Sequence, residues 1–118
     1  MIFLKSSVEL DAMDHANRVV HQVLRQVAEV VRPGMSTLEL DQIAEETILE
    51  AGGRPAFKGY RGFPATLCTS INDVIVHGIP SRSVVLSDGD LLSVDCGVVL
   101  DGFYGDAAVT VAVGDVDP

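Results

Sequence analysis

The stretch Leu91-Leu92-Ser93-Val94-Asp95-Cys96-Gly97-Val98-Val99-Leu100-Asp101-Gly102-Phe103-Tyr104-Gly105-Asp106-Ala107-Ala108-Val109-Thr110-Val111-Ala112-Val113 decides the fold class. It reads as two strands, Leu91–Leu100 and Phe103–Val113, joined by Asp101-Gly102. An Asp-Gly pair between two such runs predicts a two-residue hairpin, because both central positions accept positive φ. With that loop, Leu100 faces Phe103, Val99 faces Tyr104, Gly97 faces Asp106 and Asp95 faces Ala108. Side chains alternate along a strand with period two. One face then carries Leu92, Val94, Cys96, Val98 and Leu100 with Phe103, Gly105, Ala107, Val109, Val111 and Val113. It is the expected core face.

The other face is small and polar: Ser93, Asp95 and Gly97 against Asp106, Ala108 and Thr110. Asp95 and Asp106 project from it as diagonal neighbours, with Cα atoms roughly 7–8 Å apart in a regular ladder. Aspartate is depleted inside strands. Two carboxylates aimed at one point repel, and one takes up a proton unless a cation neutralises them. A divalent metal with oxygen ligands resolves the conflict. The same pattern also fits a solvated outer face of an antiparallel sheet. A register slip of one residue would put the two aspartates on opposite faces and remove the case for metal.

Working outward, two helices precede the strands. Ser6 and Glu9 form a capping box, followed by apolar residues at helical spacing: Met13, Ala16, Val20, Val23, Val27 and Val30. Asp11, Asp14, Arg18, Gln22, Arg25 and Glu29 occupy the opposite face, and Pro33-Gly34 ends the helix. A second capping box, Ser36 with Glu39, opens a helix whose buried stripe is Leu40, Ile43, Ala44, Thr47, Ile48 and Ala51. Gly52-Gly53 closes it. Then come a Gly- and aromatic-rich loop, Gly59–Pro64, a strand from Ala65 to Ser70, a turn at Ile71-Asn72-Asp73 and an extended piece from Val74 to His77. Asp88-Gly89 marks a further turn. Helices followed by strands predict an α+β layer, two helices packed on an antiparallel sheet, as a single domain over residues 1–118.

The totals narrow the function classes. Eight basic against seventeen acidic residues leave a net charge of −9. That disfavours nucleic acid, since phosphate binding needs Lys and Arg to displace counterions, and it disfavours anionic membranes. No stretch approaches the roughly 20 apolar residues of a membrane helix, and Met1–Lys5 is too short an apolar run for a signal peptide. Cys68 and Cys96 form neither a C-x-x-C pair nor a disulfide framework, so a reduced, cytoplasmic setting is expected. His15 and His21 lie on the polar face of the first helix. Arg54, Lys58 and Arg61 read as solvated loop charges, Cys96 as a small buried apolar group, and Tyr104 as cover for the sheet.

Further motifs carry a resemblance. The run Ser70-Ile71-Asn72-Asp73-Val74-Ile75-Val76-His77-Gly78-Ile79-Pro80 is similar to the signature of the methionine aminopeptidases. Gly59-Tyr60-Arg61-Gly62-Phe63-Pro64, Asp88-Gly89-Asp90, Val94-Asp95 and Asp101-Gly102-Phe103-Tyr104-Gly105-Asp106 fit that family in order and spacing. The resemblance spans the first helix to Val113. It implies half of a pita-bread fold, in which two α+β halves flank a two-metal site. It implies that Asp95 and Asp106 are metal ligands, Asp106 the bridging one, and that His77 is a catalytic histidine beside the scissile amide. Tyr60, Phe63 and Cys68 match positions lining the pocket for the methionine side chain. Asn72 and Val74 match backbone ligands of a monovalent-cation site for Na or K. The implied cofactors are two divalent ions per complete site, Co, Mn, Fe or Zn, and the implied substrate is the N-terminal Met of peptides, the initiator methionine. A thioether suits a pocket built from an aromatic and a thiol.

The sequence stops at Pro118, before the His and two Glu that the family's second half contributes. With two of five ligands, weak or no hydrolysis by this chain alone is expected. The partner that completes the site is then the missing C-terminal half or a second copy. A homodimer pairing two hairpins about the pseudo-twofold axis would gather Asp95 and Asp106 from both chains. A non-catalytic folding unit is the alternative. A proline-specific peptidase relative is a third reading, against which His77-Gly78-Ile79-Pro80 and the pocket loop argue.

Overall fold

A computed structural model describes residues 7–59, 62–72 and 78–114, with side chains from Met13 onward. The elements are α1 (Ser7–Val30), α2 (Thr37–Glu50), β1 (Arg54–Pro55), β2 (Leu67–Ile71), β3 (Leu91–Leu100) and β4 (Phe103–Ala112). Strand β3 is central. β1 and β2 pair in line along one of its edges and β4 pairs along the other, all antiparallel. The hairpin register is the expected one: Leu100 opposite Phe103, Gly97 opposite Asp106, Asp95 opposite Ala108. Its turn has φ of 52° at Asp101 and 80° at Gly102.

Both helices pack on one face of the sheet. From β3, Leu92, Val94, Cys96, Val98 and Leu100 are buried in the core, as the alternation requires. They meet Ala16, Val20, Val23 and Val27 of α1 and Leu40, Ala44 and Ile48 of α2. The α1 stripe is wider than its spacing suggested, because Val19 and Leu24 are buried as well. A helix lying across a sheet and against a second helix needs a broad apolar stripe. Gly105 lets α1 approach closely: a Cβ there would come within 3.0 Å of Ala16 C and Asn17 N and 2.7 Å of Asn17 Oδ1.

Ser36 caps α2, its hydroxyl accepting the Glu39 N–H at 3.2 Å. The capping box at Ser6 lies outside the described residues. On α2, Ile43 and Ala51 are only half-buried, whereas Asp41, absent from the expected stripe, is buried. The Asp41 carboxylate accepts the backbone N–H of Thr66 at 2.9 Å and of Leu67 at 2.7 Å. This explains why β2 begins at Leu67 rather than Ala65: the Thr66 N–H bonds to the helix instead of the ladder. Burial raises the Asp41 carboxyl above its ordinary value, against the pull of the two N–H groups. At the other end of the hairpin, Val113 leaves the ladder but exchanges bonds with the Asp88-Gly89 turn, donating to Asp90 O and accepting from Gly89 N, both at 2.9 Å.

Candidate metal centre and its cleft

The open face of the sheet carries the candidate site. Asp95 on β3 and Asp106 on β4 stand on that face, offset by two residues, and both are exposed. Neither is in an ion pair among the described residues, where the salt bridges are Arg18–Asp14 and Lys58–Glu45. Two adjacent carboxylates without a cationic partner suit a divalent ion that prefers oxygen donors. No group of three potential ligands occurs among the described residues, so the pair is a partial donor set.

Beside the pair opens a cleft of about 1260 Å³. Its walls include Phe57, Phe63, Cys68 and Val99, and Asp95 and Asp106 lie at its floor. Cys68 is the direct cross-strand partner of Asp95. Burial, with the Asp95 charge second, raises its thiol above the ordinary value, so it faces the cleft as a neutral, polarizable group. Phe57 and Phe63 meet edge to face, centroids 6.4 Å apart and planes at 83°. The loop between them is closed by the Gly59 N–H donating to Phe63 O at 2.7 Å.

Of the residues singled out in the sequence, the structure therefore brings Asp95, Asp106, Phe63 and Cys68 together. Asn72 lies at the far end of β2, with φ of 56°. Its side chain is committed to the turn before β3: Oδ1 accepts from Leu91 N at 2.9 Å and Nδ2 donates to Asp90 Oδ1 at 3.2 Å. The role expected of it runs through its backbone. Tyr60, Val74 and His77 lie outside the described residues, as does Arg61. His15 and His21 are exposed on α1, and Arg54 is exposed. Lys58 is not merely solvated: its Nζ meets Glu45 Oε1 at 2.6 Å, tying the pocket loop to α2.

Sequence reasoning missed three contributors. Phe57 reaches the cleft because β1 pairs beside Val98 and Val99 and the Ala56 N–H donates to Gly97 O at 2.9 Å. Gly97 was read only as a small residue. A Cβ there would lie 2.8 Å from Phe57 Cε1, 3.1 Å from Tyr104 Oη and 3.2 Å from Ala56 Cβ. A glycine inside a strand is itself a signal of close approach. Asp41 carried no such signal.

Paired carboxylates on an open sheet face, beside an aromatic and thiol-lined cleft, are a donor arrangement suited to a divalent ion next to an apolar pocket. Residues 11–118 match the family described as metallopeptidase family M24, and the chain belongs to it. It is 56% identical over 110 residues to methionine aminopeptidase 1 of Mycobacterium tuberculosis, covering 93% of this chain and 41% of that protein. The crystal structure of methionine aminopeptidase from Thermotoga maritima superposes with a TM-score of 0.92 at 40% identity, covering 99% of this chain and 47% of that one. The Rickettsia prowazekii methionine aminopeptidase gives 0.91 at 35% identity, with 99% and 47% covered. Two helices on an antiparallel sheet is thus the pita-bread architecture of these enzymes. The chain spans about half the length of these relatives.

Proposed function

We propose that this chain supplies the carboxylate side of the two-metal site of a methionine aminopeptidase, which removes the N-terminal Met from peptides. The observation that carries the reading is the placement of Asp95 and Asp106 on one open face, at the floor of a cleft walled by Phe57, Phe63 and Cys68. Divalent ions held there supply Lewis-acid polarisation of the scissile carbonyl and lower the pKa of water. Co, Mn, Fe and Zn all accept such a donor set. Asp95 and Asp106 hold the ions. Phe63 and Cys68, with Tyr60 and Phe57, receive the methionine thioether. His77 orients the scissile amide. The backbones of Asn72 and Val74 hold a Na or K ion. The net charge of −9 and the reduced thiols of Cys68 and Cys96 suit work in the cytoplasm on peptides, away from nucleic acid and membranes.

Two carboxylates are too few for two divalent ions, so further ligands come from a second α+β half. Among the described residues β4 is paired along one edge only. A C-terminal half of the same protein or a second copy of this chain meets that need, and without either this chain hydrolyses weakly or not at all. The test is methionine release from a short Met-led peptide with added Mn²⁺ or Co²⁺, with Asp106→Asn as control, alongside sedimentation with and without metal. Metal-dependent release that is lost in the variant and appears with dimers supports self-completion. Release only when a C-terminal half is added supports the two-half enzyme. Release that ignores both metal and Asp106 refutes the assignment.

A further inference from the structure

The segment 56–59, which carries one wall of the cleft, is held at several points. The Ala56 N–H donates to Gly97 O and the Gly59 N–H to Phe63 O, so both ends are fixed through the backbone. Between them the Phe57 ring lines the cleft, stands edge to face on Phe63 and covers Gly97. The next residue, Lys58, reaches helix α2 instead, where its Nζ meets Glu45 Oε1 at 2.6 Å. The two ion pairs among the described residues differ in kind. Arg18–Asp14 links neighbouring turns of one helix, whereas Lys58–Glu45 joins a helix to a loop and leaves the Glu45 side chain only 29% exposed. Glu45 lies one turn beyond Asp41, which holds the Thr66 and Leu67 end of the same loop. The Glu45 hydrogen bond raises the Lys58 amine above its ordinary value, and the Glu45 and Asp41 charges add to that, so the cation persists at neutral pH.

We propose that the Lys58–Glu45 ion pair sets the width of the cleft. Lys58 is a positioning residue: anchored on α2, it holds Phe57 over Gly97 and, through the ring contact, keeps Phe63 at a spacing that admits a slender thioether and excludes an aromatic ring. That the occupant is a methionine side chain rests on the reading of the cleft given above; the spacing itself does not. Helix α2 is a firm reference for the wall, because Leu40, Ala44 and Ile48 bury it fully against the core. A half-exposed ion pair adds little to global stability. Its consequence falls on where the loop stands, and Lys58 is the direct chain neighbour of the ring that lines the cleft.

Cys68 lines the same cleft and reports its width. The experiment measures the rate at which its thiol reacts, in the whole chain, with methyl methanethiosulfonate and with the bulkier benzyl methanethiosulfonate. The proteins are wild type, Lys58→Met, Glu45→Met and the charge-exchanged Lys58→Glu/Glu45→Lys. Cys96, fully buried in the core, is the internal control, because general loosening exposes both thiols and a wider cleft only Cys68. The benzyl-to-methyl rate ratio at Cys68 should rise about three-fold in each single variant, the scale set by loss of one half-exposed ion pair. Cys96 should stay unreactive, and the charge exchange should restore the wild-type ratio. An unchanged ratio in Lys58→Met, or a change that Cys96 shares, overturns the assignment. A second arm asks whether Met-Ala-Ser and Phe-Ala-Ser peptides protect Cys68 from the methyl reagent. Protection of the wild type by the Met-led peptide alone, and of Lys58→Met by both, ties the spacing to methionine. No protection by either peptide overturns the methionine reading of the cleft, while the reagent ratio still decides the role of Lys58.

Discussion

The Asp41 carboxylate on α2 accepts the backbone N–H of Leu67 at 2.7 Å, the first residue of the strand that carries Cys68 to the cleft. The same oxygen takes the Thr66 N–H, and one turn along the helix Glu45 holds Lys58. Helix α2 thus anchors both ends of the loop that bears Phe63. Asp41→Ala leaves two buried N–H groups without partners, at about 1–3 kcal/mol each. We expect a loss of about 2–6 kcal/mol in urea unfolding. Asp41→Asn retains an acceptor oxygen and should cost less than half of that. Equal losses in the two variants would assign the effect to packing instead.

Asp41 also sets a pH dependence. Burial raises its carboxyl in the folded state above the ordinary value of 3.8. The folded protein then holds this proton more tightly than the unfolded chain. The corresponding stability is fully present below pH 3.8 and is lost as pH rises through the folded value. Unfolding free energy measured against pH should therefore contain a component that falls as pH rises above 3.8, and Asp41→Asn should remove it. A wild-type profile parallel to that of the variant would contradict the sign.

The two thiols should separate cleanly. Cys96 is fully buried, and burial, with the Asp41 charge second, pushes its thiol up to about 12. Cys68 is half-buried at the cleft. At pH 8, Ellman's reagent should titrate one thiol per chain in the native state, slowly. The second should react only at the rate of global unfolding, and Cys68→Ser should abolish the first. Prompt reaction of two thiols in native buffer would contradict this packing.

Gly105 marks the closest approach of α1 to the sheet. Gly105→Ala places a Cβ within 3.0 Å of α1 backbone atoms, which cannot rotate away. Overpacking of this kind costs about 1–3 kcal/mol. The melting temperature should fall, and Gly105→Val should lower it further. Because Gly105 faces the helices and Asp106 the cleft, Mn²⁺ affinity of the folded variant should be unchanged.

Gly102 holds φ at 80° in the hairpin turn. Gly102→Ala should destabilise by about 1 kcal/mol, since a Cβ strains that conformation. Asp101→Asn, which tolerates the 52° at its own position, should be near neutral. Chemical denaturation of both variants checks the contrast.

The local code of the chain specified much of this. Period-two alternation through Leu91–Leu100 and Phe103–Ala112, pinned by Asp101-Gly102, was enough to place Asp95 and Asp106 on one face with the observed register. A one-residue slip would have exposed five apolar side chains of β3, so burial enforces the register that the turn proposes. The helix stops at Pro33-Gly34 and Gly52-Gly53 were equally legible, because capping chemistry is local. Contacts between segments far apart in the chain were not. Asp41 sits among apolar neighbours at helical spacing, and nothing nearby announces that Thr66 and Leu67, 25 and 26 residues on, will need its oxygen. Lys58 reads as a free charge until α2 brings Glu45 beside it. Gly97 reads as a small residue until β1 lays Phe57 over it and β4 lays Tyr104 there. Sequence by itself determined the elements, the hairpin register and the paired carboxylates, because these follow from dihedral preference and side-chain alternation over a few residues. Tertiary structure alone decided what stands around the pair, because the walls of the cleft come from Ala56 and Phe57 after β1, from Gly62–Pro64 before β2, from β2 and from the β3–β4 hairpin, and only their packing sets which side chains meet.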